Sequence, residues 1–254
     1  MLGIASPSSN SMAKHLIIAS YDGISTYYCG IGTTMQDTIS SLGDLVNSEK
    51  IKISLAYISA DPDGKVFDQK RLQDSVELVK KTGGHLIPLC NGTAGFDESD
   101  MWRSFPQWEH ACASLATALS IILEDEDNND NVLMLHDTPF LFFHKFKQQI
   151  FSKKLRCFYM PRSTGLNHKL GDEEWRQKRV ELEKESFQAI QDDPAASVLA
   201  IGRNFAQHLM SDYNLSFIEN DYLVNGLYFG RYKKFLNRKF EISELNKFGI
   251  NIDS

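Results

Sequence analysis

The chain has 254 residues, 42% of them hydrophobic and 24% charged, with a net charge of −6. That balance describes a globular protein able to bury a core, and it gives no electrostatic reason to expect a nucleic-acid partner. Cys29, Cys90, Cys112 and Cys157 are far apart and form no C-x-x-C pair, which argues against a zinc site or a disulfide framework and predicts reduced thiols in a cytoplasmic protein.

The apolar runs are too short for a bilayer, so no transmembrane segment is expected. Residues 1–13 are rich in Ser with no cationic n-region ahead of them, and they read as a disordered tail instead of a secretory signal. A strand is predicted over 14–20, then a glycine-bearing loop, then a helix over 34–46 with Met35, Ile39, Leu42 and Val46 on one face. In that loop Gly30 and Gly32 lack Cβ atoms, so the backbone can approach a ligand. Thr33 or Thr34 can cap the helix, and free N–H groups at its start suit a phosphate. An ordinary tight turn explains the same residues, because the third glycine of the dinucleotide fingerprint is absent.

A second strand follows over 51–59, then turn chemistry at Asp61-Pro62-Asp63-Gly64. A helix over 68–81 stops at Gly83-Gly84, and 85–89 is a third strand. Residues 91–106 form a long polar stretch of the kind often found to be functional. A helix is predicted over 108–124. The acidic run 124–130 holds a D-x-D pattern at Asp125-Glu126-Asp127, read as a solvated loop and not a metal site. The apolar strand 132–135 runs into His136-Asp137, an aromatic helix over 140–151 follows, and 156–160 is another strand. A charged helix over 173–191, a strand over 196–201, a helix over 204–213 and a last short strand over 217–224 complete the pattern. This alternation predicts a Rossmann-like three-layer α/β/α domain over 14–230, with a mainly parallel sheet of about six or seven strands. Residues 231–254 read as a basic linker or tail.

Ligands of open α/β sheets bind outside the carboxyl ends of the strands. Four polar clusters fall there: Gly30-Ile31-Gly32-Thr33, His136-Asp137, Arg162-Ser163-Thr164 with Asn167-His168, and Arg203-Asn204. His136 can hydrogen-bond a hydroxyl or be satisfied by a backbone carbonyl. Asp137 can touch ligand or cap the next turn. Arg162 can grip phosphate or carboxylate bidentately, or pair with the acidic helix after it. No G-x-S-x-G elbow or G-x-x-x-x-G-K-[ST] loop is present.

The order of these motifs resembles the N-terminal half of GT-B glycosyltransferases, closest to the retaining, nucleotide-sugar-dependent group. Gly30-Ile31-Gly32-Thr33 looks like its G-x-G loop, Leu135-His136-Asp137 like its strand-end H-D element, and Ser197 to Phe205 like the strand before its next helix. Asp221 to Tyr228, with Asn225-Gly226, resembles the signature that closes its N-terminal domain. The resemblance implies that the glycine loop approaches the donor phosphates and that His136 contacts the transferred sugar or acceptor. It implies that Asp137, Arg162, Ser163, Thr164, Asn167, His168, Arg203 and Asn204 line the acceptor side. No metal or other cofactor is implied. The chain departs from the family where the donor-binding domain should begin, soon after Asn225-Gly226, so a second chain carrying that domain is an expected partner.

Three readings follow: a glycosyltransferase acceptor domain moving sugar from a nucleotide sugar to a hydroxyl, a non-catalytic binding module on the same fold, and a different Rossmann-like small-molecule enzyme, such as one using a dinucleotide. A dinucleotide needs an acidic ribose ligand after the second strand, and Asp61 and Asp63 sit in a Pro/Gly turn. If Gly32 and His136 are cleft residues, replacing them should leave stability nearly intact.

Overall fold

The computed structural model describes residues 15–45, 51–92, 104–124, 131–150, 155–169 and 171–216. The expected terminal tails, the D-x-D run, most of the 91–106 stretch, the 217–224 strand and Asn225-Gly226 lie outside the described residues. The apolar runs form strands β1 (His15–Ser20), β2 (Lys52–Ile58), β3 (Leu86–Leu89), β4 (Asn131–His136), β5 (Leu155–Met160) and β6 (Ala196–Val198). They alternate with helices α1 (Gly30–Leu45), α2 (Gln69–Thr82), α3 (Phe105–Ile122), α4 (Glu173–Gln191) and α5 (Arg203–Tyr213). All strand pairs are parallel, in the order β3-β2-β1-β4-β5-β6. This is the three-layer Rossmann-like architecture expected from the alternation.

Strand residues divide by parity, because successive side chains point to opposite faces. Ile17, Ala19, Leu133, Leu135, Cys157 and Tyr159 pack with α3, α4 and α5. Leu16, Ile18, Ile53, Leu55, Val132 and Met134 pack with Met35, Ile39 and Leu42 of α1 and Leu78 and Val79 of α2. Burial on both faces explains why β1 and β4 read as unbroken apolar runs. Helix α2 is stopped as its sequence dictates: Asp68 caps it by accepting from Lys70 and Arg71 N–H, and Gly83 ends it at φ +68°.

Two elements differ from expectation. The aromatic helix over 140–151 is instead a pair of 3-10 turns, Thr138–Lys145 and Lys147–Gln149. Residues 138 to 143 are all buried, so the segment has no solvent face around which an amphipathic helix can form. The predicted helix start at residue 34 is four residues late. Cys29 C=O already accepts from Thr33 N–H at 3.3 Å, so Gly30 and Gly32 belong to the first turn of α1. Thr33 and Thr34 are therefore not caps, and the Thr34 hydroxyl bonds back to Gly30 C=O at 3.0 Å.

Candidate functional site

The strand order reverses between β1 and β4, whose registers pair Ser20 with His136. The loops that leave those two strands diverge to opposite sides of the sheet and open a crevice. A cavity of about 480 Å³ lies there, lined from one side by Tyr28, Cys29, Gly30 and Ile31, and from the other by Asp137, Thr138, Arg162 and Ser163. His168, Arg179, Trp108, Ile201, Thr34 and Pro139 complete its wall. That size is in the range of small-molecule sites.

On the β1 side, the helix start is already occupied by the protein itself. Asp22 accepts from the Thr26 hydroxyl at 2.7 Å and from the N–H groups of Cys29, Gly32 and Tyr28 at 2.9, 3.1 and 3.2 Å. A carboxylate thus sits where a phosphate was expected, a favourable place for negative charge. This corrects the assignment of Gly30, Ile31, Gly32 and Thr33 as the donor phosphate site: Gly30 and Ile31 line the cavity, while the Gly32 amide is taken by Asp22. Gly32 is glycine for packing, since a Cβ there would lie 2.7 Å from Asp22 Cγ. Gly23, at φ +99°, backs onto Gly32 so closely that its own Cβ would reach the Gly32 backbone at 2.6 Å. Arg71 braces this loop, donating to Gly32 C=O at 2.9 Å and lying 4.5 Å over the Tyr27 ring.

The same geometry lacks the features that a dinucleotide reading needs. Met35 stands at the third glycine position, Asp22 takes up amides at the start of α1, and the Asp61 side chain accepts from Asp63 N–H within its own turn.

On the β4 side, His136 is 0% exposed and is not in the cavity wall. Its Nδ1 lies 3.2 Å from an Arg162 guanidinium nitrogen; because Arg only donates, Nδ1 accepts and the ring proton is on Nε2, which has no hydrogen-bond partner among the described residues. Burial, and then the Arg162 charge, hold His136 well below its ordinary value, so it is neutral. The expectation that His136 touches substrate is corrected: it supports Arg162, which does face the cavity.

Asp137 is 3% exposed and has φ +78° and ψ 163°. Glycine alone occupies this region freely; another residue is held there at a cost of about 1–3 kcal/mol. Its N–H donates to Met160 C=O at 2.9 Å and its C=O accepts from Phe140 N–H at 3.2 Å, which fixes the backbone. Its carboxylate accepts from the backbone N–H groups of Arg162, at 3.3 Å, and Thr138, while the Thr138 hydroxyl, 3.4 Å from Oδ1, gives its proton to Ser163 C=O at 2.7 Å. Burial raises the Asp137 carboxyl, while the charges of Arg179 and Arg162 oppose that shift.

Arg179, on α4, escaped the sequence reading. It is 3% exposed, donates to the Thr138 and Ser163 hydroxyls at 3.2 and 3.0 Å, and pairs with Glu183 at 2.7 Å. Glu183 also accepts from Gly165 N–H and the Tyr213 hydroxyl. The i, i+4 spacing of an Arg and a Glu on a charged helix was visible, yet it is the ordinary mark of an exposed face; only burial gives it meaning.

The remaining expected acceptor residues separate. Ser163 and His168 line the cavity with Arg162. Thr164 and Asn167 build the loop: Asn167 Oδ1 accepts from Thr164 N–H at 2.7 Å, and the Thr164 hydroxyl is 2.8 Å from His208 Nε2. Arg203 and Asn204 are exposed at the start of α5 and outside the cavity wall. Among the described residues no group of three or more His, Cys, Asp or Glu side chains is placed to hold a metal, and no helix is long and apolar enough to cross a membrane.

Fold and site together define a Rossmann-like α/β/α domain with a polar-and-aromatic cavity at its strand-order reversal. No family model matches the chain, and no curated protein matches it. The solved structure of gox2181 is similar at 10% identity and a TM-score of 0.42, covering 79% of this chain and 77% of that one. The N-terminal domain structure of Candida albicans trehalose-6-phosphate phosphatase is similar at 10% identity and a TM-score of 0.45, covering 82% of this chain and 44% of that one. The functional reading therefore rests on the chain's own geometry.

Proposed function

We propose that this chain is the acceptor-side domain of a glycosyltransferase, which moves a sugar from a nucleotide sugar to a hydroxyl held in the cavity. A donor-binding domain, on a second chain or elsewhere, completes the cleft. The observation that carries this is the cavity itself: it sits at the strand-order reversal and combines hydroxyl, guanidinium and carboxylate groups with aromatic surface from Trp108 and Tyr28. Hydroxyl arrays are read by such mixed donors and acceptors, and sugar C–H faces by aromatic rings. Arg162, backed by neutral His136, orients the acceptor, and orientation of this kind lowers the barrier by holding a near-attack geometry.

The filled helix start favours a second reading, a binding module with no transfer activity, because Asp22 leaves little for a donor phosphate on this side. Calorimetric titration with saccharides and with nucleotide sugars separates the two. The expected result is saccharide binding, weak nucleotide-sugar binding, and transfer once a donor domain is supplied. Sub-micromolar affinity of the isolated chain for a nucleotide sugar refutes the half-enzyme reading. Saccharide binding with no transfer under any completing partner leaves the binding module.

A further inference from the structure

Among the described residues, the exposed large apolar side chains are Tyr27, Tyr28, Ile121, Leu166 and Met210. Three of the five belong to the two loops that line the cavity: Tyr27 precedes the wall residue Tyr28, and Leu166 stands between the wall residues Ser163 and His168. Single apolar side chains on a surface need no explanation, but their gathering on the loops of one cavity marks a contact surface. Tyr28 lines the cavity and is 43% exposed. Tyr27 lies outside the wall and is 57% exposed, yet it is fixed from behind. Its N–H donates to Val66 C=O at 2.9 Å, and the neighbouring Thr26 and Phe67 form a β-bridge. The Arg71 guanidinium lies 4.5 Å over its ring while donating to Gly32 C=O at 2.9 Å and to Asp68 at 3.3 Å. Arg71 thus covers one face of the ring, and solvent reaches its edge and the other face. An aromatic ring ordered by the fold itself loses little freedom when a ligand lies on it. The rim is small for a protein partner. Two half-exposed rings offer about 150–250 Å² between them, against the roughly 500 Å² per partner of the smallest stable protein interfaces.

We propose that Tyr27 is an outer subsite for a second saccharide ring, so that the ligand is an oligosaccharide of at least two rings and not a monosaccharide. Its first ring occupies the cavity against Tyr28, and the next lies on the open face of Tyr27 with its hydroxyls in water. This rests on the acceptor reading above and adds to it the length of the acceptor. The two tyrosines are consecutive, with Cα atoms about 3.8 Å apart, so one short saccharide reaches both.

The experiment titrates the full chain by calorimetry with glucose, maltose and cellobiose, and repeats the titrations with Tyr27→Ala, Tyr27→Leu and Tyr27→Phe. The quantity read is the affinity for the better disaccharide relative to glucose. In the unsubstituted chain this ratio is expected to be about 3–10. Tyr27→Phe is expected to keep it, and Tyr27→Ala and Tyr27→Leu to bring it to about 1. Because Tyr27 stands more than half in solvent, the variants are expected to fold. Tyr27→Leu also keeps apolar bulk beside Arg71, so a loss there reports the flat ring and not the packing behind it. A ratio near unity in the unsubstituted chain overturns the proposal. So does a ratio that survives in either Tyr27→Ala or Tyr27→Leu, or one lost even in Tyr27→Phe. Each of these outcomes leaves the acceptor reading standing. An unsubstituted chain that binds none of the three sugars overturns both.

Discussion

Two buried aspartates follow the two strands that flank the strand-order reversal, and they are held in different ways. Asp22, 1% exposed, collects donors from Thr26, Tyr28, Cys29 and Gly32 with an unstrained backbone. Asp137, 3% exposed, sits at φ +78° and is held by the backbone amides of Arg162 and Thr138. A buried charge is tolerated when the protein supplies its partners. Asp22 meets that condition and so belongs to the architecture: it ties the β1 loop to the start of α1. Asp137 meets it differently, with the Arg162 and Thr138 amides and the Arg162 and Arg179 charges around it, in a cavity wall and on a strained backbone. The lesson is that position at the carboxyl edge does not by itself separate a cavity residue from one that closes its own loop; what fills the space beside it does.

The largest way to break this comparison is Asp22→Ala. It leaves three amides and a hydroxyl without their acceptor in a buried loop, at about 1–3 kcal/mol each before relaxation. A loss near 4 kcal/mol is expected in urea denaturation, which is a large fraction of a domain's stability. A loss under about 1 kcal/mol shows that the loop is held by other contacts and that Asp22 is not its keystone. Gly32→Ala comes next. Its Cβ meets the Asp22 carboxylate, and overpacking of this kind costs about 1–3 kcal/mol. The same measurement checks it, and an unchanged midpoint shows that the carboxylate moves aside freely.

Much of the fold was legible because burial writes itself into composition. The runs at 15–20 and 131–136 are apolar on both faces, as parallel strands must be, and Asp68 with Gly83 announces the ends of α2. The 3-10 turns were not legible, since Phe140 to Phe143 carry no period that distinguishes a tight turn from a buried helix. Gly30, Asp137, Arg162, Ser163 and His168, chosen from strand ends, do line the cavity. Gly32 and His136 were read as ligand residues because sequence shows where a residue falls along the chain but not what fills the space beside it. Asp22 was hidden in the very loop that drew attention, and only its three-dimensional closure onto Gly32 separates a phosphate loop from a self-capped one. Arg179 was hidden by its helix, where charge is ordinary.

His136 sharpens the comparison through pH. Its folded-state value is depressed by burial and by Arg162, below the ordinary 6.5. The unfolded chain therefore takes up a proton near 6.5 that the folded chain refuses, and stability falls as pH falls through that range. His136→Gln keeps an acceptor for Arg162 and removes the titration. The stability of the unsubstituted chain relative to this variant is expected to fall by up to about 1.4 kcal/mol per pH unit below 6.5. Parallel stability curves for the two proteins between neutral pH and pH 5 contradict a buried neutral histidine.

The smallest expected effect is the most discriminating. Gly30 and Gly32 form one G-x-G pair in sequence and both lie in the first turn of α1, yet their surroundings are opposite. A Cβ on Gly32 strikes the Asp22 carboxylate, whereas a Cβ on Gly30 meets nothing within 4 Å. Gly30 also carries no left-handed backbone angle, so alanine fits its conformation and narrows the unfolded ensemble. Gly30→Ala is expected to gain about 0.5 kcal/mol, read as a rise of about 1–2 °C in melting temperature, while Gly32→Ala falls. If both glycines were present to admit a phosphate against the backbone, the two substitutions would change stability alike and would differ only in ligand binding. Opposite signs show that one glycine serves packing against Asp22 and the other merely borders the cavity; equal signs remove Asp22 from its place at the centre of the loop.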